Sequence, residues 1–121
     1  MFDHIGIGAS DLKASKAFYL EALAPIGVGI LMDEADGIGL GAPGKPSLWI
    51  GAASGKPSPV HLAFTAENRG QVDDFYRRAL AAGARDNGAP GLRPHYSETY
   101  YAAFVIGPDG HNVELVCHKP A

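Results

Sequence analysis

The feature that most constrains this chain is an internal repeat, because two segments 57 positions apart align without a gap. His4 falls on His61, Ala9 on Ala66, Phe18-Tyr19 on Phe75-Tyr76, and Ala22-Leu23-Ala24 on Ala79-Leu80-Ala81. Matched Phe-Tyr and Ala-Leu-Ala pairs follow from shared helix packing alone. A matched histidine at the same step of a matched strand points further, to duplication of one unit.

Each copy opens with a strand and a helix. In residues 2–9, Phe2, His4, Gly6 and Gly8 alternate with Asp3, Ile5, Ile7 and Ala9, so one face is apolar and the other is open. Ser10 or Asp11 then caps a helix over 12–23, with Phe18, Ala22 and Leu23 on its buried side. In residues 60–66, His61, Ala63 and Thr65 alternate with Val60, Leu62 and Phe64. Asn68 caps the second helix, whose stripe Val72, Phe75, Tyr76, Ala79 and Leu80 has helical spacing, and Gly83 ends it.

Three strands follow in each copy. They are expected near 28–32, 36–41 and 46–52, with turns at Asp36-Gly37 and Pro43-Gly44, and near 84–87, 99–106 and 111–118, with a hairpin turn at Pro108-Asp109-Gly110. The fold class is therefore α+β: two paired βαβββ modules forming an open, curved mixed sheet around a cup, helices outside. The chain is read as one domain over 1–121, with module 1 at about 1–56 and module 2 at about 57–121.

Composition narrows the function. A chain of 121 residues with 46% hydrophobic and 19% charged residues suits one compact domain. One cysteine, Cys117, forbids an internal disulfide. A formal charge of −3 without a Lys/Arg cluster argues against nucleic acid as a partner. No apolar run is long enough to span a membrane and no leader precedes the first strand, so a cytoplasmic protein acting on small molecules is expected.

The last strands of the two copies also superimpose. Ser47-Leu48-Trp49-Ile50 lies over Asn112-Val113-Glu114-Leu115, with about eight extra residues absorbed between Asn87 and Glu98. A pseudo-twofold axis then brings His4, Trp49, His61 and Glu114 together. Two imidazoles and a carboxylate form the arrangement suited to non-haem Fe(II), and the same donors accept Mn(II), Zn(II), Co(II) or Ni(II). His4, His61 and Glu114 are the candidate metal ligands.

Three segments carry a family resemblance: Asp3-His4-Ile5-Gly6-Ile7 with the Phe-Tyr helix, Val60-His61-Leu62-Ala63-Phe64, and the ending Gly107-Pro108-Asp109-Gly110-His111-Asn112-Val113-Glu114-Leu115. Together they resemble the vicinal oxygen chelate superfamily of glyoxalase I, bleomycin-resistance proteins and extradiol dioxygenases, over nearly the whole chain. The resemblance implies paired modules around a divalent metal that binds substrate through adjacent oxygens. It also implies a homodimer in which a unit of each chain completes the partner's cup, so that His4 comes from a different subunit than His61 and Glu114.

The sequence departs from glyoxalase I where Trp49 stands, since that family member has a carboxylate there. An indole neither ligates nor shuttles a proton, so lactoylglutathione lyase activity is not expected. The inward strands also lack the several cations of phosphonate-binding members. His118 lies four residues beyond Glu114, about 13 Å along a strand, and is read as an exposed terminal residue. His95 is read as a solvated loop residue in a segment able to close over the site. His111, following a turn, is expected to be exposed.

The segment from Leu92 to Tyr101 is unusually aromatic. Tyr100 and Tyr101 point to opposite faces, so only one meets the cup. That tyrosine, with Trp49 and Tyr96, either lines an apolar pocket for a small aromatic ligand or simply fills the barrel, and Arg93 is the candidate for an anionic group. Two functions stand: a metal-dependent dioxygenase or lyase/isomerase acting on a small oxygen-rich or aromatic molecule, and a non-catalytic protein that sequesters a small molecule. The retained triad favours the first.

Overall fold

The computed structural model describes all residues, 1–121. The elements run β1 (Ile5–Ala9), α1 (Leu12–Leu23), β2 (Gly29–Glu34), β3 (Gly37–Ala42), β4 (Lys45–Ala52), β5 (His61–Thr65), α2 (Arg69–Ala81), β6 (Arg85–Leu92), β7 (Tyr101–Ile106) and β8 (Asn112–Cys117). They form two four-stranded sheets of the same topology, β1-β4-β3-β2 and β5-β8-β7-β6. In each, the first strand pairs in parallel with the last, and the remaining pairs are antiparallel. The two sheets are separate, with β1 and β5 each at an edge.

The duplication extends to the helix ends. The Asp11 carboxylate accepts the Ala14 N–H at 3.1 Å, and the Asn68 amide oxygen accepts the Gln71 N–H at 2.9 Å, so each helix has a side-chain N-cap. Both helical segments end on a left-handed glycine, Gly27 at φ 77° and Gly83 at φ 101°. Each glycine N–H and the N–H after it turn back to helical carbonyls: Gly27 to Ala24 and Val28 to Leu23, Gly83 to Leu80 and Ala84 to Ala79. This paired pattern satisfies carbonyls that would otherwise be orphaned, and glycine adopts it without a Cβ penalty.

Register decides which face each side chain occupies. Ile5, Ile7 and Ala9 lie beside Leu48, Ile50 and Ala52, while Gly6 faces Trp49. In the second sheet Leu62 lies beside Val113 and Phe64 beside Leu115, while Ala63 faces Glu114. Gly6 and Ala63 are repeat equivalents, so Trp49 and Glu114 are too. The apolar faces join Phe18, Tyr19, Leu23, Val72, Phe75 and Ala79 of the helices in one buried cluster that spans both modules.

Two expectations need correction. The expected strand at 84–87 extends to Leu92, so half of the supposed loop belongs to an irregular edge strand. His111 is 2% exposed rather than on the surface. Its Nδ1 accepts the Val60 N–H at 3.0 Å, so the ring proton sits on Nε2, which donates to the Gly8 carbonyl at 3.2 Å. One neutral imidazole thus ties β1 to the segment entering β5. Nearby, Asp109 takes a left-handed φ of 63° and its carboxylate accepts both the backbone N–H and the hydroxyl of Ser10.

Replacing His111 with Ala empties a buried position and leaves the Val60 N–H and the Gly8 carbonyl without their partner. Urea denaturation of His111→Ala is expected to show a loss of about 1–3 kcal/mol. A change within about 0.5 kcal/mol, typical of neutral surface substitutions, would contradict the clamp.

Candidate functional site

The chemistry collects on the face of the second sheet turned away from the core. Glu114 sits in the middle of β8 between Val113 and Leu115, both fully buried, and is itself 1% exposed. Alternation sends its carboxylate to the opposite face from those two aliphatic neighbours. Its Oε1 lies 2.9 Å from His61 Nε2, and its Oε2 accepts the Tyr100 hydroxyl. Burial, then the carboxylate acceptor, push the Tyr100 phenol up to about 12. Tyr100 therefore stays a hydrogen-bond donor throughout the neutral range.

Around this triad lies a depression of about 470 Å³ lined by His61, Glu114, Tyr100, Tyr96, Phe104 and His95. Tyr96 stands edge-on to Tyr100 with centroids 5.0 Å apart, and His95 packs on Tyr96 at 4.2 Å. The aromatic segment between Leu92 and Tyr101 thus forms a wall of the site. Phe104 faces Glu114 across the β7–β8 pair, and its ring lies 6.1 Å from that of His61. Sequence reasoning missed Phe104, although pairing β7 with β8 about the Pro108-Asp109-Gly110 turn would have placed it there.

The other expected residues fall elsewhere. Tyr101 faces the helix side, where its hydroxyl donates to Asp73 at 2.6 Å and Arg69 stacks over its ring. The choice between the two tyrosines is therefore Tyr100. Arg93 is half-buried in an adjoining depression that shares His61 and Phe104. His118 is exposed, as expected, with its ring edge-on to Tyr100.

The four positions expected to meet at one centre fall into two groups within the chain. Trp49 lies in the first sheet and His4 just before its edge strand β1, and no three potential ligands among His, Cys, Asp and Glu cluster anywhere. The cause is topological: β1 and β5 are both free edges and do not pair with each other. Trp49 lies flat beside Gly39, where a Cβ would come within 3.0 Å of the indole. His4 is exposed, and its Nδ1 is 2.6 Å from the Asp3 carboxylate, which Lys45 also binds. The His4 bond first, then Lys45, holds the Asp3 carboxyl down at about 2, so it is ionised and Nδ1 carries the proton. His4 Nε2 is left as a free donor atom, the tautomer a carboxylate-backed metal ligand needs.

The second-sheet pair fits a divalent cation. No lysine or arginine lies beside the buried Glu114 carboxylate, so the His61 imidazole is the one basic side chain that meets it. Two donors about 2.1 Å from one ion and at right angles are about 3 Å apart, close to the His61–Glu114 separation. A metal held by three side chains would need one more donor than this pair supplies.

A family model described as the Glyoxalase/Bleomycin resistance protein/Dioxygenase superfamily matches residues 1–115. Among solved structures, a glyoxalase/bleomycin resistance protein from Albidiferax ferrireducens T118 is 27% identical, with a TM-score of 0.84, covering 97% of this chain and 98% of that one. A glyoxalase/bleomycin resistance protein/dioxygenase family enzyme from Burkholderia phytofirmans PsJN is 20% identical at a TM-score of 0.74, covering 97% and 98%. The oxidase ChaP-H2 is 21% identical at 0.69, covering 100% and 95%; these last two likenesses establish fold alone. No curated protein matches the chain significantly. No helix is long and apolar enough to cross a membrane.

The two neighbouring tyrosines separate site from scaffold. Tyr100→Phe strips a donor from the buried Glu114 and is expected to lower stability by about 1–3 kcal/mol. Tyr101→Phe loses a bond to the exposed Asp73 and should stay within about 0.5 kcal/mol. Equal losses in chemical denaturation would contradict this assignment.

Proposed function

The chain belongs to the glyoxalase/bleomycin resistance protein/dioxygenase superfamily, and on that premise we propose that it is a metal-dependent enzyme acting on a small oxygen-rich or aromatic molecule. The observation that carries this reading is the buried Glu114 carboxylate, spanned by His61 and Tyr100 with no lysine or arginine beside it. His61, Glu114 and His4 would hold the ion, one of Fe(II), Mn(II), Zn(II) or Ni(II). When bound, such an ion supplies Lewis acidity, accepting two adjacent substrate oxygens and offsetting negative charge that develops on them.

The chain's own residues do the rest. Tyr100 fixes the Glu114 carboxylate, leaving Oε1 to face His61. Asp3 sets the His4 tautomer. Phe104, Tyr96 and Tyr100 form an apolar wall suited to a flat ligand and able to displace water from it. Trp49 brings no proton carrier, which disfavours lactoylglutathione lyase chemistry and leaves dioxygenase or other lyase/isomerase chemistry.

His4 reaches the site in this reading from a partner subunit. An apolar groove of about 340 Å³ runs beside the unpaired edges of β1 and β5, lined by Phe2, Ile5, Leu48, Leu62 and Phe64 among others. Phe2 is 72% and Ile5 38% exposed, an apolar edge that a second copy would cover. A homodimer pairing these edges brings His4 and Trp49 of one protomer to His61 and Glu114 of the other.

Subunit mixing tests both parts together. His4→Ala and His61→Ala chains are each expected to lose most bound metal when purified alone. Co-expressed, they form hybrid dimers with one intact site, restoring about a quarter of the wild-type metal content at random assortment. Full metal in either single variant would remove that residue from the site. No recovery on mixing would remove the shared site, and no metal in the wild type under any loading would leave sequestration of a small molecule as the function.

A further inference from the structure

Arg93 is half-buried, is fixed by backbone carbonyls and has no anionic partner. Its Nη1 donates to the Gly91 carbonyl at 2.7 Å and its Nη2 to the Ala89 carbonyl at 2.9 Å. The guanidinium carbon lies 5.3 Å from the centre of the Phe104 ring. Its backbone N–H is tied to the Tyr100 carbonyl at 2.7 Å. Five of the ten Lys and Arg side chains pair with a carboxylate, and of the other five (Lys13, Lys56, Arg69, Arg85 and Arg93) Arg93 alone is fixed by backbone carbonyls.

Strand β6 is shaped around this side chain. Its register with β7 breaks between Asp86 and Gly88 and again between Gly88 and Gly91. A Cβ at Gly88 would come within 3.0 Å of Nη2, and one at Gly91 within 3.3 Å of Nη1. Gly88 has a φ of 149°, in the region where only glycine is comfortable. An arginine loses much rotamer freedom when fixed. Here that loss is offset by two carbonyls and a ring, and the rest of its five N–H donors remain for something else.

The neighbourhood is set for an anion. Phe104 has the Arg93 guanidinium and the His61 imidazole as neighbours, so one flat ring connects the cation to the proposed metal site. Asn112 lies directly opposite His61 in the β5–β8 pair, and its side-chain oxygen accepts Asn87 Nδ2 at 3.2 Å. The Asn112 amide N–H group is thereby free to donate into the same depression, which both asparagines line.

From this geometry we infer that Arg93, with Asn112, forms an anion subsite, and that the substrate is a small planar carboxylate lying over Phe104. Its carboxylate meets the guanidinium fork, and its adjacent oxygens lie at the opposite end, toward His61 and Glu114. The orientation of the substrate rests on the metal-site reading above; the anion subsite itself does not.

The test uses metal-free protein, benzoate as the probe and benzamide as its neutral counterpart, with binding followed by NMR shifts of the Asn112 and Arg93 side-chain N–H groups. Wild-type protein is expected to bind benzoate at least about tenfold more tightly than benzamide, a difference of about 1.4 kcal/mol. Arg93→Met should bring that ratio to about one. Arg93→Lys, which keeps the charge without the fork, should retain an intermediate ratio and covers the case in which Arg93→Met fails to fold. Equal binding of the two probes by wild type, no binding of benzoate, or a preference that survives Arg93→Met would overturn the subsite. Metal uptake, measured separately, reports on the metal-site reading alone.

Discussion

A carboxylate placed in the middle of a buried strand is the constraint around which the second module is arranged. Glu114 is flanked by Val113 and Leu115, so a slip of one residue in β8 would drive its charge into the apolar core. The parallel pairing of β5 with β8 and the antiparallel pairing of β7 with β8 both keep it on the opposite face. There the carboxylate oxygens find His61 and Tyr100, one on each side. Register, burial and hydrogen bonding therefore depend on the same residue.

The two modules share a backbone plan and divide the chemistry. In the first, the position equivalent to Glu114 holds Trp49, set against Gly39 and opposite Gly6, so an indole stands among glycines where the second module has its carboxylate. His4 is its one imidazole, aligned by an ionised Asp3. The second face carries His61, Glu114, Tyr100, Phe104 and Arg93. Duplication supplied the symmetric frame, and substitution on one half made it a site with two unlike walls.

Much of this frame was legible in the sequence because a strand's alternation and a 57-residue offset are both periodic signals. The repeat, with about eight extra residues allowed between Asn87 and Glu98, matched Trp49 to Glu114 before any pairing was known, and β1–β4 and β5–β8 pair in the register that match requires. What escaped was not periodic. The stretch Asn87-Gly88-Ala89-Pro90-Gly91 has the composition of a loop, but β6 is an edge strand, where proline and bulges are tolerated. His111 follows a turn and looked exposed; two backbone partners distant in sequence draw it inside. Alternation indicated that Tyr100 and Tyr101 part company, but only the pairing of Tyr101 with Cys117 decides which faces the site. Whether His4 joins His61 depends on contacts between edges of separate sheets, which no pattern within one strand encodes.

The central claim is that His61 and Glu114 hold a divalent ion completed by His4 of the partner subunit. The most direct measurement is anomalous diffraction at the metal edge from crystals of the Mn(II)- or Zn(II)-loaded protein. The account predicts one strong peak per chain, about 2.0–2.2 Å from His61, Glu114 and the partner's His4. A peak lying away from Glu114, or a loaded crystal with no peak between His61 and Glu114, would contradict it.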